Sequence, residues 1–323
     1  MKMKDILIIY HKEDNDGACS AGLIKTALTH TRKNEDLNIN FWGVDYAMLT
    51  DFCEHQTPDF DKMVEKYDEI YLTDISFNSL WAMDVLYKNA KKLVYFDHHV
   101  SIIEASKTNE FGKADGLRDT NCSAILCVWK YYFGEDNINP VLQELSDYDS
   151  WQWVNKDYKE DDVFSLNIGF TIKGKLDPEY FAWLTEQMIV GNTTSWTNEE
   201  TEARQIGLES LLRQREHCKE MIKEWGDLTW TFAGHKACAL FSQEKFSSKS
   251  FISLSDTDIK HGIVFRRKPT GDWVVSVYNV SDDIDFHLGL YLREKWNGGG
   301  HKGAAGCTIN QQQFIDILVS KTM

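Results

Sequence analysis

Asp97-His98-His99 stand at the end of the run 92–96, which reads as a buried strand. Three consecutive ionisable residues make poor core and poor loop filler. They suit the carboxyl edge of a parallel sheet, where open α/β folds place their sites. Imidazoles and carboxylates together are the usual ligands of Zn, Mn and Fe. The pattern recurs upstream. The apolar run 6–10 is followed by His11, Asp14 and Asp16 before Gly17, and the strand read over 69–76 carries Asp74 at its carboxyl end. One acid after a strand can be a helix cap. A cap accounts for one of Asp14 and Asp16, not for both together with His11. Further along, Asp147 and Asp149 precede Trp151 and Trp153. This stretch reads either as a loop packed by tryptophan or as a further metal carboxylate beside an aromatic wall.

Two divalent ions a few ångströms apart need several carboxylates, one of them bridging, and a few imidazoles. Such a pair lowers the pKa of a bridging water and clamps the non-bridging oxygens of a phosphoryl group. His11, Asp14, Asp16, Asp74, His98 and either Asp147 or Asp149 supply that inventory. The set is rich in O and N and contains no Cys, which favours Mn²⁺, with Mg²⁺, Co²⁺, Fe²⁺ and Zn²⁺ as alternatives. A structural zinc site would need only a closed set of four ligands, often with Cys. Near the end of the chain, Gly298, Gly299 and Gly300 let backbone N–H groups approach an anion, with His301 and Lys302 alongside. Arg266 and Arg267 are candidate helpers on a hairpin.

The elements that must position these residues alternate. Strands are expected over 6–10, 39–44, 69–76 and 92–96, with helices from Ala18, within 51–68, over 77–89 and over 120–133. Alternation of this kind implies right-handed βαβ units and a parallel sheet. Asp45 reads as a loop residue. Residues 155–165 look like a charged surface connection, followed by helices over 176–190 and 197–225, the second opening on a capping box at Thr197. After Gly226 the pattern changes to strands over 228–232 and 237–241, then a hairpin of 261–267 and 272–279 around Gly271. Helices over 285–295 and 311–320 complete it. The expected architecture is α/β: residues 1–154 a parallel-sheet metal-binding catalytic domain, 155–225 a helical connector and 226–323 a smaller α/β substrate-binding domain, with the active site in the cleft between the two domains.

The 323 residues exceed what one core usually holds. A formal net charge of -15 argues against a protein that grips long duplexes, which needs a broad basic footprint. It leaves room for a short anionic substrate held by metals. Seven cysteines with no CxxC pair point to free thiols in a reducing compartment. The first apolar run ends at Tyr10, too short for a signal peptide or a membrane span, so a cytoplasmic protein without membrane attachment is expected.

The set His11-x-x-Asp14-x-Asp16-Gly17, Asp74 after a strand, Asp97-His98-His99, Asp147-x-Asp149-x-Trp151 and the run 298–306 (GGGHKGAAG) resembles the DHH phosphoesterase family with its DHH-associated C-terminal domain. The resemblance spans nearly the whole chain apart from the connector. It implies a di-metal centre, usually Mn²⁺, and hydrolysis of phosphoanhydride or phosphodiester bonds. By carry-over, His11 and Asp14 hold one metal, Asp16 and His98 the other, Asp74 bridges, and Asp147 or Asp149 completes the set. Asp97 orients its neighbours, His99 sits nearer the substrate phosphate, and the glycine segment binds the distal part of the substrate. Where members carry a Ser-Leu-Arg-Ser-like strand, this chain has residues 276–279 without the arginine. Tyr278 stacking on a base, or Arg266, would take its place.

The two-domain form resembles the short-oligonucleotide exonucleases of the nanoRNase type, which release mononucleotides from very short RNA. The implied partner is a short oligonucleotide or nucleotide phosphate, with the oligomeric state left open. The alternatives are a phosphatase of 3′-phosphoadenosine 5′-phosphate, a cyclic-dinucleotide phosphodiesterase, and a catalytically idle nucleotide-binding protein.

Overall fold

Residues 6–9 are apolar at every position because both faces of their strand are covered. Ile6 and Ile8 point into one hydrophobic core, Leu7 and Ile9 into another. Continuous apolar runs of this kind are the signature of a sheet buried on both sides. The computed structural model describes residues 3–46, 48, 49, 64–77, 79–191, 193–244, 246, 248–281 and 284–323. The expected helix within 51–68 falls, for residues 51–63, outside the described residues.

The chain divides into two compact units, Met1–Glu209 and Ser210–Met323. The first is built on strands β1 (Lys4–His11), β2 (Leu37–Val44), β3 (Glu69–Thr73) and β4 (Leu93–Phe96). They form one parallel sheet in the order β2-β1-β3-β4. Its register places Tyr10 opposite Thr73 and Thr73 opposite Phe96. The next residues of the three strands are therefore His11, Asp74 and Asp97. The strand order reverses at β1, the topological switch point at which open α/β sheets hold ligands.

Helix α1 (Asn15–Thr31) packs on one face, its small residues allowing close approach. A Cβ on Gly17 would lie 2.0 Å from the His11 carbonyl oxygen, and one on Gly22 2.7 Å from the backbone of Ala182. Helix α2 (Leu80–Asn89) covers the other face with Met83 and Leu86. Helix α3 (Val100–Ser106) follows β4. Helix α4 (Ala124–Phe133) starts four residues later than the sequence suggests, with Ser123 at the N-cap position, its hydroxyl turned to Asp16 rather than to the helix. Helix α5 (Pro140–Asp149) contains both Asp147 and Asp149, so the stretch is helix up to Asp149.

The charged stretch 155–165, expected as a surface connection, begins helix α6 (Glu160–Gly174), which buries Val163, Phe164, Leu166 and Phe170. Helix α7 (Pro178–Ile189) follows, then α8 (Thr193–Trp225). The last begins before the expected capping box because Trp196 is buried, its indole N–H donating to the Leu184 carbonyl at 2.5 Å. Leu166, Phe170, Phe181, Leu184, Trp196 and Ala203 share one core with Ile6, Ile8 and Ala18.

The second unit carries a mixed sheet of β5 (Asp227–Phe232), β6 (His235–Phe241), β7 (His261–Arg267), β8 (Trp273–Asn279), β9 (Gly299–Gly300) and β10 (Ala304–Ile309), in the order β5-β6-β7-β8-β10-β9. All pairs are antiparallel except β6 with β7. Helices α9 (Leu288–Trp296) and α10 (Gln311–Ser320) complete it. The expected hairpin is β7-β8. Within the glycine run, Gly299 and Gly300 form β9 at the edge of this sheet. Among the described residues no helix is long and apolar enough to cross a membrane.

Candidate metal centre

His11 ends β1, and its Nδ1 lies 2.7 Å from Asp14 Oδ2. The other oxygen of Asp14 accepts from the Gly17 amide at 3.0 Å and caps α1. One carboxylate thus serves both the helix and the site. Asp16 sits in the first turn of α1 and is 2 % exposed. Its Oδ1 accepts from the Ser123 hydroxyl at 2.5 Å and the Ile125 amide at 2.8 Å, and its Oδ2 from the Ala124 amide at 2.8 Å. The N-terminus of α4, with its unsatisfied N–H groups, holds this anion as helix N-termini do.

Asp74 occupies the centre. It follows β3 with φ 57°, a left-handed conformation that Asp and Asn tolerate better than most residues. Its amide donates to the Phe96 carbonyl, which ties it to the end of β4. Oδ2 lies 3.5 Å from His11 Nδ1, and Oδ1 lies 3.4 Å from His98 Nε2 and 4.0 Å from His99 Nδ1. His98 Nε2 is also 3.0 Å from Asp149 Oδ2 and 3.6 Å from Asp16 Oδ2. Three sets of candidate ligand atoms, each within 4.8 Å of one another, result: His11, Asp14, Asp74; Asp74, His98, His99; and Asp16, His98, Asp149.

Asp97 is wholly buried and faces its own neighbours. It accepts from the Tyr95 hydroxyl, from the amides of His98 and His99 at 2.6 and 2.9 Å, and from His99 Nδ1 at 2.7 Å. The His99 ring is thereby fixed, and it packs edge-on to Tyr46 with centroids 6.5 Å apart. Asp147 and Asp149 are two apart on a helix, so they cannot face the same way. Asp149 reaches His98. Asp147 turns away and accepts from Gln143, Lys156 and Tyr158 at 2.9, 2.6 and 3.0 Å. Of the two, Asp147 does not join the cluster. Of the tryptophans beyond it, Trp153 is buried against Phe164, and its ring lies 5.5 Å from that of Trp151.

The electrostatics of the cluster call for positive charge. Burial and the neighbouring Asp74 and Asp149 charges push Asp16 up, despite its hydrogen bonds. Burial would do the same to Asp74, but the His11 and His98 imidazoles outweigh it and hold the carboxyl well below its usual range. Burial pulls His11 down, yet Asp14 and Asp74 raise it to about 11. Asp74 Oδ2 and His98 Nε2 are buried and make no hydrogen bond of good geometry; their near neighbours, His11 Nδ1 at 3.5 Å and Asp149 Oδ2 at 3.0 Å, are themselves members of the cluster. Orphaned buried groups of this kind are rare. Four carboxylates and three imidazoles, with two buried polar atoms lacking a well-formed hydrogen bond, fit a divalent cation with O and N ligands.

Sequence reasoning overlooked Tyr46 and the turn 123–125. Tyr46 lies two residues beyond the end of β2, where reading the strand end singles out Asp45 instead. With Ser76, Phe77, Leu80, His99, Ser101 and Ile102 it lines a cavity of about 300 Å³. Asp45, beside it, pairs with Lys12 at 2.8 Å and stays outside the cluster.

In the C-terminal unit, Arg266 and Tyr278 line one recess of about 190 Å³ with Glu244, Phe246, Val264 and Ser276. The Tyr278 hydroxyl donates to the Phe246 carbonyl at 2.7 Å and its ring stacks on Phe251. Within the glycine run, the Gly298 amide donates to Leu292 and the His301 amide to Ala304. Lys302 Nζ lies 3.2 Å from Asp285. Gly289 lets α9 meet β9, since a Cβ there would stand 2.0 Å from the Gly300 carbonyl oxygen.

No family model matches the chain, and no curated protein matches it. Solved structures do. An exopolyphosphatase-related protein from Bacteroides fragilis is 14 % identical with a TM-score of 0.50, covering 98 % of this chain and 91 % of its own. A pGpG-specific phosphodiesterase from Vibrio cholerae is 16 % identical with a TM-score of 0.49, covering 98 % and 97 %. Exonuclease RecJ bound to manganese is 12 % identical with a TM-score of 0.48, covering 98 % and 89 %. The likeness to the Bacteroides protein shows the fold.

Proposed function

We propose that the chain is a DHH-type, metal-dependent phosphoesterase that hydrolyses phosphodiester bonds of short oligonucleotides. The observation that carries this reading is Asp74: one buried carboxylate whose two oxygens face two different histidine-containing ligand sets. Two divalent cations balance the four carboxylates Asp14, Asp16, Asp74 and Asp149 and leave the imidazoles neutral. In this assignment His11 and Asp14 would hold one ion, Asp16, His98 and Asp149 the other, and Asp74 would be shared. The donor set favours Mn²⁺. Bound there, such a pair lowers the pKa of a water and neutralises phosphoryl oxygens.

The protein's own groups do the positioning. Asp97 accepts from His99 Nδ1, which fixes the ring and leaves its second nitrogen for a phosphate oxygen. The turn 123–125 holds Asp16 in place through three hydrogen bonds. Gly298, Gly299, Gly300, His301, Lys302, Arg266 and Tyr278 are the proposed substrate-binding groups of the C-terminal unit. A net charge of -15 supports a short substrate over a long duplex.

The test is hydrolysis of a labelled RNA dinucleotide with Mn²⁺, beside chelator-treated protein and the His98→Ala variant. Mononucleotide release lost in both controls is the expected result. Metal binding without release would move the substrate to cyclic dinucleotides, bisphosphorylated nucleotides or polyphosphate. Failure to bind any divalent metal would end the reading.

A further inference from the structure

Two thiols stand beside the metal cluster, and the proposed reaction uses neither. Cys122 Sγ and Cys127 Sγ are 3.9 Å apart, in van der Waals contact. Cys122 lies in the turn before α4 and Cys127 in its second turn. Between them in sequence are Ser123, Ala124 and Ile125, the three residues whose hydroxyl and amides hold Asp16. The Cys127 thiol also lies 3.7 Å from the Asp97 carbonyl oxygen. The pair is therefore tied to the cluster at two points.

We propose that Cys122 and Cys127 are a redox site: a peroxide converts them to a reversible disulfide that loosens the grip on Asp16 and so weakens metal binding. The weakening of metal binding rests on the assignment of Asp16 above; the disulfide and the loosening do not.

Cys122 is the attacking sulfur. Lys130 Nζ is 3.5 Å from it, and it stands at the N-terminus of α4, both of which favour a thiolate. The contact with Cys127 is the largest influence and lowers its pKa; burial opposes this, Lys130 lowers it further and Asp119 raises it. The thiolate attacks a peroxide oxygen. An S–O bond forms, the O–O bond breaks, and hydroxide leaves and takes up a proton as water. Cys127 then attacks the sulfenic sulfur. The S–S bond forms, the S–O bond breaks, and the hydroxyl departs as a second water with the Cys127 proton. Two thiols and one peroxide give one disulfide and two waters, the sulfurs losing two electrons to the peroxide.

A disulfide holds its sulfurs about 2.05 Å apart. The present contact must therefore shorten by about 1.9 Å. The segment 122–127 has to absorb that movement, and it is the segment whose donors are aimed at Asp16. Among the described residues, all cysteines are free and buried.

The experiment uses the full-length, metal-free chain. It is titrated with hydrogen peroxide, alkylated, and mapped by mass spectrometry, with dithiothreitol reversal as control. The expected product is a Cys122–Cys127 linkage, absent in Cys122→Ser and in Cys127→Ala. Hydrogen exchange is read at the Ala124 and Ile125 amides, where oxidation should accelerate exchange. Mn²⁺ binding, followed by electron paramagnetic resonance, should weaken about 10- to 100-fold on oxidation, the range that groups supporting metal ligands carry. Binding by Cys122→Ser should not respond to peroxide. Sulfinic acid without linkage, or a linkage that leaves exchange at 124–125 unchanged, overturns the proposal. Absence of Mn²⁺ binding by reduced wild-type protein defeats the metal assignment instead, while mapping and exchange still decide the disulfide.

Discussion

Replacement of Asp74 by asparagine isolates its charge. The residue sits at φ 57°, where Asn is accommodated, whereas alanine would add backbone strain of about 1 kcal/mol and blur the result. The asparagine keeps the shape but removes a carboxylate that faces both His11 and His98. A ligand that binds only the folded state stabilises it by RT ln(1 + [L]/Kd), about 2.7 kcal/mol at 100 times Kd. In a domain of roughly 200 residues, 1 kcal/mol moves Tm by about 2–4 °C. Mn²⁺ at that excess should therefore raise the Tm of wild type by about 5–11 °C. Loss of the shared carboxylate should weaken binding at least about 100-fold, beyond the usual effect of supporting residues. At the same Mn²⁺ concentration the variant then sits near its Kd, and the gain falls to about 0.4 kcal/mol, or about 1–2 °C. Differential scanning fluorimetry with a Mn²⁺ titration and a chelator reversal reads both numbers. An Asp74→Asn protein that shifts as far as wild type, at the same Mn²⁺ midpoint, would refute the central place given to this residue.

Asp149→Asn should lose the Mn²⁺ response with little change in metal-free stability. Asp147→Asn, which breaks the contacts to Lys156, Tyr158 and Gln143, should keep that response and lose about 1–3 kcal/mol in denaturant unfolding. Ser123→Ala removes one of three donors to Asp16 and should weaken Mn²⁺ binding about 10-fold by isothermal calorimetry, without abolishing it. In the C-terminal unit burial holds His261 down to about 4, so its neutral form is the folded one. Its contribution is complete above the unfolded value of about 6.5 and is lost as pH falls through 4, a decline of up to about 3 kcal/mol in pH-dependent unfolding; His261→Phe should flatten this limb. Gly289→Ala places a methyl 2.0 Å from the Gly300 carbonyl oxygen and should cost about 1–3 kcal/mol by forcing α9 off β9.

Much of the site is legible in the chain because strand ends are local features. A run apolar at every position reports a strand covered on both faces, and the first ionisable residue after it reports the edge. His11, Asp74 and Asp97 follow from that reasoning alone. The helix at 160–174 was hidden because its first turn is charged while its buried face begins only at Val163. The early start of α8 was hidden because Trp196 is anchored by a distant carbonyl, not by a local cap.

What the linear pattern leaves open is every distance between segments. It shows three strands ending in ligands; the parallel register that aligns Tyr10, Thr73 and Phe96 makes those ends neighbours. It offers two aspartates near 150 and cannot choose, since the choice depends on how far α5 continues and which side of it meets His98. It places Cys122, Ser123 and Cys127 close together, but gives no sign that the hydroxyl between the thiols holds Asp16 from more than a hundred residues away. Periods of 2 and 3.6 residues record which face of an element is buried. Which groups then converge is settled by long-range packing, where no local period reaches.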